Sequence, residues 1–357
     1  MSSASVLLRS KWNEKAAAGW LLLVLLLALS ADVIPLPYSP EFIDAAHVYQ
    51  APASGPHLFG TDQLGRDVLA NIIYGCRIAL LISIPVMVLV TILGVAAGTV
   101  AGYYGNKGIR VSRAGIFCWI LFLGGAAFYS LYLQQFKIQA AFTVGGVELL
   151  LLIVKLAGIT ALVGVGSFLV YKALLQLPLA KKQHSFPADS VVLGFTELTA
   201  SLPQLVLLLA VASFTSASVA AVLIVIFVTA WAVPARLVRA EVLKVKQQHF
   251  VEAAVVLGLP TFKIIVKHIL PNALVPVFVA FAYGVAGLIA MEATLSFLGI
   301  GIPADVPSWG RLIKGARANM EAWWLLALPG FMLIFTVLAI HIVTQWLKNR
   351  ITGVKSV

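Results

Sequence analysis

The chain has 357 residues, of which 61% are hydrophobic and only 11% charged, against roughly 25% charged residues in a soluble globular domain. That composition excludes a soluble enzyme or binding module and places the chain in a bilayer. The net charge of +11 does not describe a nucleic-acid surface, because the basic residues sit in short loops between apolar runs and not in one stripe with interleaved aromatics.

Runs of around 20 apolar residues, enough to cross a hydrocarbon core of about 30 Å, occur eight times: 16–34, 78–102, 114–133, 147–169, 191–211, 217–233, 273–291 and 323–346. The first has a basic flank and ends in Ala28, Leu29 and Ser30, similar to a signal-peptidase site, but its length favours an uncleaved anchor. A proline-rich polar segment, 35–56, follows and leads into HLFGTDQLGRDVLANIIYGCR at 57–77. There Gly60 and Gly65 permit tight turns, and Asp62 or Asp67 can cap a helix whose apolar face is Val68, Leu69, Ile72 and Ile73. Capping is favoured over a metal cluster, because no histidine or further carboxylate stands at a ligand spacing.

Two apolar runs lie within 107–189, joined by a short segment, 134–146. Lys155 falls inside the second of them, where a lysine costs about 2.5–3.5 kcal/mol and needs a partner or a wet cavity. Glu148, seven positions earlier, is within reach by snorkelling, and a structural lysine facing another helix is the preferred reading. Gly158, Gly164 and Gly166 are read as close-packing positions. Cys76 and Cys118 fall at opposite ends of their spans, too far apart for a disulfide. The fifth run carries Glu197 and Pro203. Glu197 is read as stabilising a helix N-terminus, with a gating role as the alternative.

Between the sixth and seventh runs the chain reads FVEAAVVLGLPTFKIIVKHILP, 250–271. Phe250, Ala253, Ala254 and Leu257 recur at i, i+3, i+4 and i+7, one apolar face of a short helix. Gly258 and Pro260 end it. A second helix follows with Phe262, Ile265, Val266 and Ile269 on one face and Lys263 and Lys267 on the other. Two short helices about a glycine bend make a docking surface; the alternative is a hairpin lying on lipid headgroups. Glu292, at the end of the seventh run, either attracts a cationic group of a solute or packs against Arg311 or Arg317.

Lysines and arginines set the orientation. With a cytoplasmic N-terminus, 18 of the 25 fall in cytoplasmic segments, six outside and only Lys155 within a span. Both termini and the 250–271 loop are then cytoplasmic.

Glu252, Ala253, Ala254 and Gly258, followed by Ile269, Leu270 and Pro271, resemble the cytoplasmic EAA loop of ABC-importer membrane subunits. The usual pattern has isoleucine three residues before the proline, and here that place is His268. The 57–77 segment resembles the C-type permeases of dipeptide, oligopeptide and nickel ABC importers. Further similarities are Trp231, Pro234, Ala235, Arg236, Val238 and Arg239; EATLSFLGIG at 292–301 with Pro307, Ser308, Trp309 and Gly310; and Trp324, Leu328, Pro329 and Gly330. The resemblance covers roughly 57–106 and 190–350, and 107–189 departs from it as a two-span insertion.

This resemblance implies an all-α polytopic transmembrane helical bundle, with a six-helix ABC type I importer core plus two inserted helices. It divides the chain into an anchor span and external loop (1–56), a pre-span motif and second span (57–106), the insertion (107–189), and a permease core (190–357) with its coupling loop at 235–271. It also implies a multi-pass bacterial inner-membrane protein working by alternating access. The partners implied are a second permease subunit, two cytoplasmic ABC ATPases and an external solute-binding protein, with peptides as cargo. Phe250, Glu252, Ala253, Ala254, Leu257, Gly258 and Pro271 would couple to the ATPase, and Glu197, Pro203 and Glu292 would serve the pathway or its gating. The sequence has no phosphate-binding loop and its six histidines show no metal spacing, so no cofactor, metal or catalytic site is expected and the energy must come from a partner. The alternatives are an autonomous secondary transporter or channel and a permease-derived membrane scaffold.

Overall fold

The computed structural model describes residues 11–134, 146–177, 180, 182–214, 219–300, 303 and 305–351. They form two compact units, 1–103 with 192–357, and 104–191. The helices in chain order are α1 (Lys11–Ser30), α2 (Val68–Tyr104), α3 (Arg113–Ala126), α4 (Gly146–Leu174), α5 (Ala188–Ser201), α6 (Gln204–Phe214), α7 (Val219–Ala230), α8 (Ala232–Lys246), α9 (His249–Val256), α10 (Thr261–Ile264), α11 (Leu270–Ala273), α12 (Val275–Leu298), α13 (Trp309–Gly315) and α14 (Trp324–Ile351). Six described segments are long and apolar enough to cross a membrane: Trp12–Ser30, Val68–Tyr104, Val154–Leu174, Val222–Lys246, Val275–Leu298 and Trp324–Ile351. The other two expected spans differ. The fifth is the pair α5 and α6, bent by 72° at Leu202 and Pro203, and the third is a shorter apolar helix, Arg113–Tyr129. The chain is an all-α polytopic bundle.

Inside a bilayer apolar helices gain little by leaving lipid for protein, so close packing must hold them. In the larger unit this comes from Gly94, Gly98 and Gly102, spaced four apart on α2. A Cβ at Gly94 would strike the Pro234 ring, one at Gly98 the Ala235 carbonyl and one at Gly102 the Arg239 carbonyl. The stripe sets the α2 backbone directly against α8. Gly158 and Gly166, read from the sequence as packing positions, have nothing within 4 Å of where a Cβ would stand, and Gly164 has only the Phe122 ring. Glycine on a membrane helix permits close approach, and only the neighbouring helix decides whether the approach occurs.

α1 is built into this unit. Trp20 Nε1 donates to Thr336 Oγ1 on α14 at 3.1 Å, its ring packs on Phe331 and Phe335, and Val24 and Ala28 belong to the core. Beyond α1, Arg77 Nη1 meets Asp32 Oδ2 at 2.5 Å, and the hydrogen bond from this guanidinium holds the Asp32 carboxyl below its ordinary range.

The segment before α2 is a polar knot. Asp67 caps α2 by accepting from Ala70 N at 2.8 Å, while its other oxygen meets Nδ1 of the fully buried His57 at 2.8 Å. Asp62 Oδ1 accepts from the Leu64 and Arg66 amides at 2.8 and 2.9 Å, closing the intervening turn. Gly65 has φ of +77°, and a Cβ there would run into the Asp44 backbone. Trp324 Nε1 donates to the Thr61 carbonyl at 3.1 Å and fastens the knot to α14. Both carboxylates therefore shape the backbone, as capping predicted, although His57 lies closer to them in space than its spacing suggested. The helix that Asp67 caps is continuous with the second span: α2 runs for 37 residues.

The smaller unit pairs α3 with α4 and adds an element the all-α reading omitted. β1 (Ile109–Ser112) and β2 (Gln183–Phe186) form a two-stranded antiparallel ribbon with Arg110 opposite Ser185 and Ser112 opposite Gln183. Ser112 Oγ then caps α3 by accepting from Gly115 N at 3.1 Å. Lys155 Nζ approaches Gln134 Oε1 at 3.4 Å, so the lysine does face another helix's end, whereas the Glu148 side chain lies outside the described residues, as does most of the 134–146 connection. Both cysteines are buried free thiols.

Candidate functional site

The 247–274 loop turns twice without a side-chain cap. α8 ends where Lys246 Nζ donates to the Tyr103 carbonyl at 2.6 Å and stands over the Tyr103 ring. Gln248 is extended, and α9 begins. Its end is a Schellman motif: Gly258 N donates to Val255 O at 2.9 Å and Leu259 N to Ala254 O at 3.2 Å. Gly258 has φ of +71°, with nothing near its missing Cβ, so glycine is needed there for backbone conformation and not for space. Pro260, extended at ψ 139°, starts α10.

α10 then widens into a π turn, Ile265–Ile269, in which Leu270 N reaches back to Ile265 O. A π turn absorbs one extra residue. Ile264 and Ile269, five apart, are both buried as a result, whereas an α-helix would set them on different faces. This explains the displaced isoleucine: the wider turn buries Ile269 and leaves His268 half-buried.

The loop has two apolar faces. Val251, Ala254, Ile264 and Ile269 pack with Val238, Val242 and Val245 of α8 and with Ala273 and Val277. Fully burying a valine or isoleucine from water is worth about 1.5–3 kcal/mol, so this inner face seats the loop firmly. The outer face carries Phe250, Val256, Leu257 and Phe262, which are 45%, 87%, 78% and 77% exposed. Ala253 and Glu252 are also exposed, with Glu252 Oε2 3.4 Å from His249 Nδ1.

This corrects the predicted face. Ala254 is 3% exposed and points into the chain's own core, so it is not on the surface with Phe250, Ala253 and Leu257. Val256 and Phe262 join that surface instead. Because α9 is apolar nearly all round, periodicity could not choose which side α8 would take. Pro271 lies exposed in the first turn of α11.

The other predicted residues occupy separate settings. Glu197 is the tenth of the 14 residues of α5, so it cannot stabilise that helix's N-terminus. Asp189, in the first turn, holds the favourable place. Pro203 stands exposed at the 72° bend, and its carbonyl accepts from Leu207 N at 3.1 Å in the first turn of α6.

Glu292 is buried, and its Oε1 accepts from Ser296 Oγ at 2.8 Å and Ser308 Oγ at 2.7 Å. Serines thus supply the hydrogen bonds at this carboxylate, and the Arg311 charge acts on it as well. Arg311 donates to the Pro303 carbonyl at 2.5 Å, and Arg317 stacks over Phe297. Burial and the Arg66 charge push the Arg311 guanidinium below its ordinary value, against Asp305, Asp62 and Glu292. Ser308 also caps α13, which lies so close to α12 that a Cβ on Gly310 would enter the Ala293 backbone. Trp309 Nε1 donates to the Ile72 carbonyl at 3.1 Å. The sequence signal for this joint was the pair EATLS and PSWG, whose serines supply both hydroxyls.

The profile of the family described as "Binding-protein-dependent transport system inner membrane component" matches residues 173–353, a stretch that contains the whole loop. The chain belongs to this family. Among its relatives is the oligopeptide transport system permease protein OppC of Haemophilus influenzae, 27% identical over 347 residues that cover 96% of this chain and 86% of the relative. A Brucella suis protein named as a peptide transport system permease is 28% identical over 332 residues, covering 92% of this chain and 84% of its own. Membership makes the chain a multi-pass inner-membrane permease subunit of an ABC importer, a component that operates with a binding protein and an ATPase and is not itself an enzyme.

Proposed function

We propose that this permease subunit passes di- or oligopeptides across the inner membrane by alternating access, together with a second, related permease subunit and two cytoplasmic ATPases that hydrolyse ATP, after delivery by an external solute-binding protein. The peptide cargo follows the names of its relatives. Both termini and the 247–274 loop are cytoplasmic in this reading, as the basic bias indicates. The participation of α1 in the core favours an anchor that stays uncleaved, and 107–189 is a two-span insertion into the permease core.

The observation that carries the proposal is the apolar crown of Phe250, Val256, Leu257 and Phe262 on a loop whose inner face is locked to α8. Apolar side chains held out on a rigid, non-spanning loop suit a partner's groove, and Ala253 beside them allows its backbone to come close. Movement of an ATPase gripping this crown passes through the α8 packing to α2. Gly258 and Pro271 fix the loop's course, and Glu252 suits the start of α9. Glu197, exposed in the bent pair of helices, needs water or protein opposite it within a bilayer, which favours the side of the translocation route or the second permease for it and the Pro203 bend. Glu292 serves the route indirectly, by tying α13 to α12.

The test is co-expression of the importer with Leu257→Asp and, separately, Phe250→Asp. Each is expected to leave membrane insertion and thermal stability unchanged while abolishing ATPase co-purification and peptide uptake. Normal uptake by both variants defeats the docking assignment.

A further inference from the structure

The smaller unit contains a cavity that coupling does not use. It lies between α3 and α4 beside the β1–β2 ribbon and encloses about 480 Å3, within the range of small-molecule sites. Trp119, Phe122 and Phe168 form apolar wall, while Arg110 and Gln183 from the two strands line its polar end. Trp119 and Phe168 are also exposed on the outside of their helices. The apolar wall is therefore continuous with the surface that meets lipid.

Two further observations define the chemistry of an occupant. Ser167 lines the cavity and is 5% exposed, yet its hydroxyl has no hydrogen-bond partner among the described residues. A buried hydroxyl normally finds a partner, often in the preceding helical turn, and an acceptor on a bound molecule would meet that need. The ribbon beside the polar end is also basic, with Arg110 lining the cavity itself. Arg110 is exposed on β1, Arg113 follows the strand and donates from Nε to His184 Nε2 at 2.9 Å, and Lys107 and Lys182 flank the ribbon, with Asp189 the acid nearest in sequence. An occupant must combine an anionic end, a neutral acceptor part-way along and an apolar tail.

We propose that this cavity holds one anionic phospholipid, drawn from the leaflet beside the ribbon. The phosphate lies against Arg110 and Gln183, an ester carbonyl accepts from the Ser167 hydroxyl, and acyl chain runs between Trp119, Phe122 and Phe168. This assignment is independent of the ATPase-docking reading, since it concerns other residues and is measured without partners.

The full-length chain in detergent, titrated with phosphatidylglycerol, phosphatidylcholine or inorganic phosphate and followed by native mass spectrometry, tests it. Phosphatidylglycerol is expected to bind at one molecule per chain, about five-fold or more tighter than phosphatidylcholine, whose choline cation offsets the phosphate charge that Arg110 meets. Arg110→Gln, at an exposed position, should remove that preference, weakening phosphatidylglycerol about five-fold more than phosphatidylcholine. Ser167→Ala should weaken both lipids equally, and Gly164→Leu, which fills the wall next to Phe122, should exclude both. Equal affinity for the two lipids, or undiminished phosphatidylglycerol binding by Arg110→Gln, overturns the proposal. Inorganic phosphate bound as tightly as phosphatidylglycerol would mark a phosphate site and overturn it as well.

Discussion

The polar knot at 35–67 and the loop at 247–274 are both non-spanning segments of the larger unit, and opposite forces hold them. The knot is fixed by polar groups, with Asp67 shared between a helix cap and His57, Asp62 closing a turn, and Trp324 bonding the Thr61 carbonyl. The loop lacks side-chain caps and is fixed by apolar burial on α8. A hydrogen-bonded knot ties its backbone and carboxylates to one another. An apolar seat orients a short helix by one face and leaves the other bare, which suits a lever awaiting a partner.

Substitutions that strike one mode and spare the other can break this comparison. The largest effect is expected from Gly98→Leu, which drives a side chain into the Ala235 carbonyl and Val238. Separating α2 from α8 should cost about 3 kcal/mol or more, seen as a collapse of thermal stability in detergent together with loss of peptide uptake. A stable, active Gly98→Leu protein would show that the glycine stripe does not set the seat.

Ala254→Leu overfills the loop's inner face and is expected to cost about 1–3 kcal/mol. It should raise protease sensitivity at 247–274 while leaving the polar knot protected. His57→Ala is the mirror experiment. It leaves the buried Asp67 short of a partner, at about 1–3 kcal/mol, and should loosen hydrogen-exchange protection at 57–70 with ATPase co-purification retained. If either variant loosens both segments, the two are one cooperative piece.

Gly258→Ala should cost about 1 kcal/mol, because an L-residue is forced into the left-handed region; a fall in uptake larger than the fall in stability would show that the bend itself transmits force. The smallest effect is acid weakening of the knot. The hydrogen bond from His47 lowers the pKa of Asp44 below its ordinary value of 3.8. Its stabilisation is therefore fully present above that value and lost as pH falls through the lower, folded-state pKa. Asp44→Asn should flatten the acid limb of a stability profile below pH 4 and leave the loop unaffected.

Much of this was legible beforehand. The apolar runs gave the bundle, and Gly258 and Pro260 gave the bend between two short helices, because αL backbone and a fixed proline φ are local demands. Capping by Asp67 was equally local. The inward turn of Ala254, the π turn that buries Ile269, and the serines around Glu292 were not legible, since each depends on which neighbour arrives. The same holds for the glycines: Gly94, Gly98 and Gly102 resemble Gly158, Gly164 and Gly166 in a sequence, and only α8 lying against the first set separates them.

The sequence by itself determined that this chain crosses a membrane many times and carries a bent amphipathic loop, since hydrophobic length, charge bias and turn chemistry act over a few residues. Tertiary structure alone decided which side of an all-apolar helix is seat and which is crown, and which glycines touch. Burial is a property of pairs of surfaces, and one strand of residues cannot specify its partner's position.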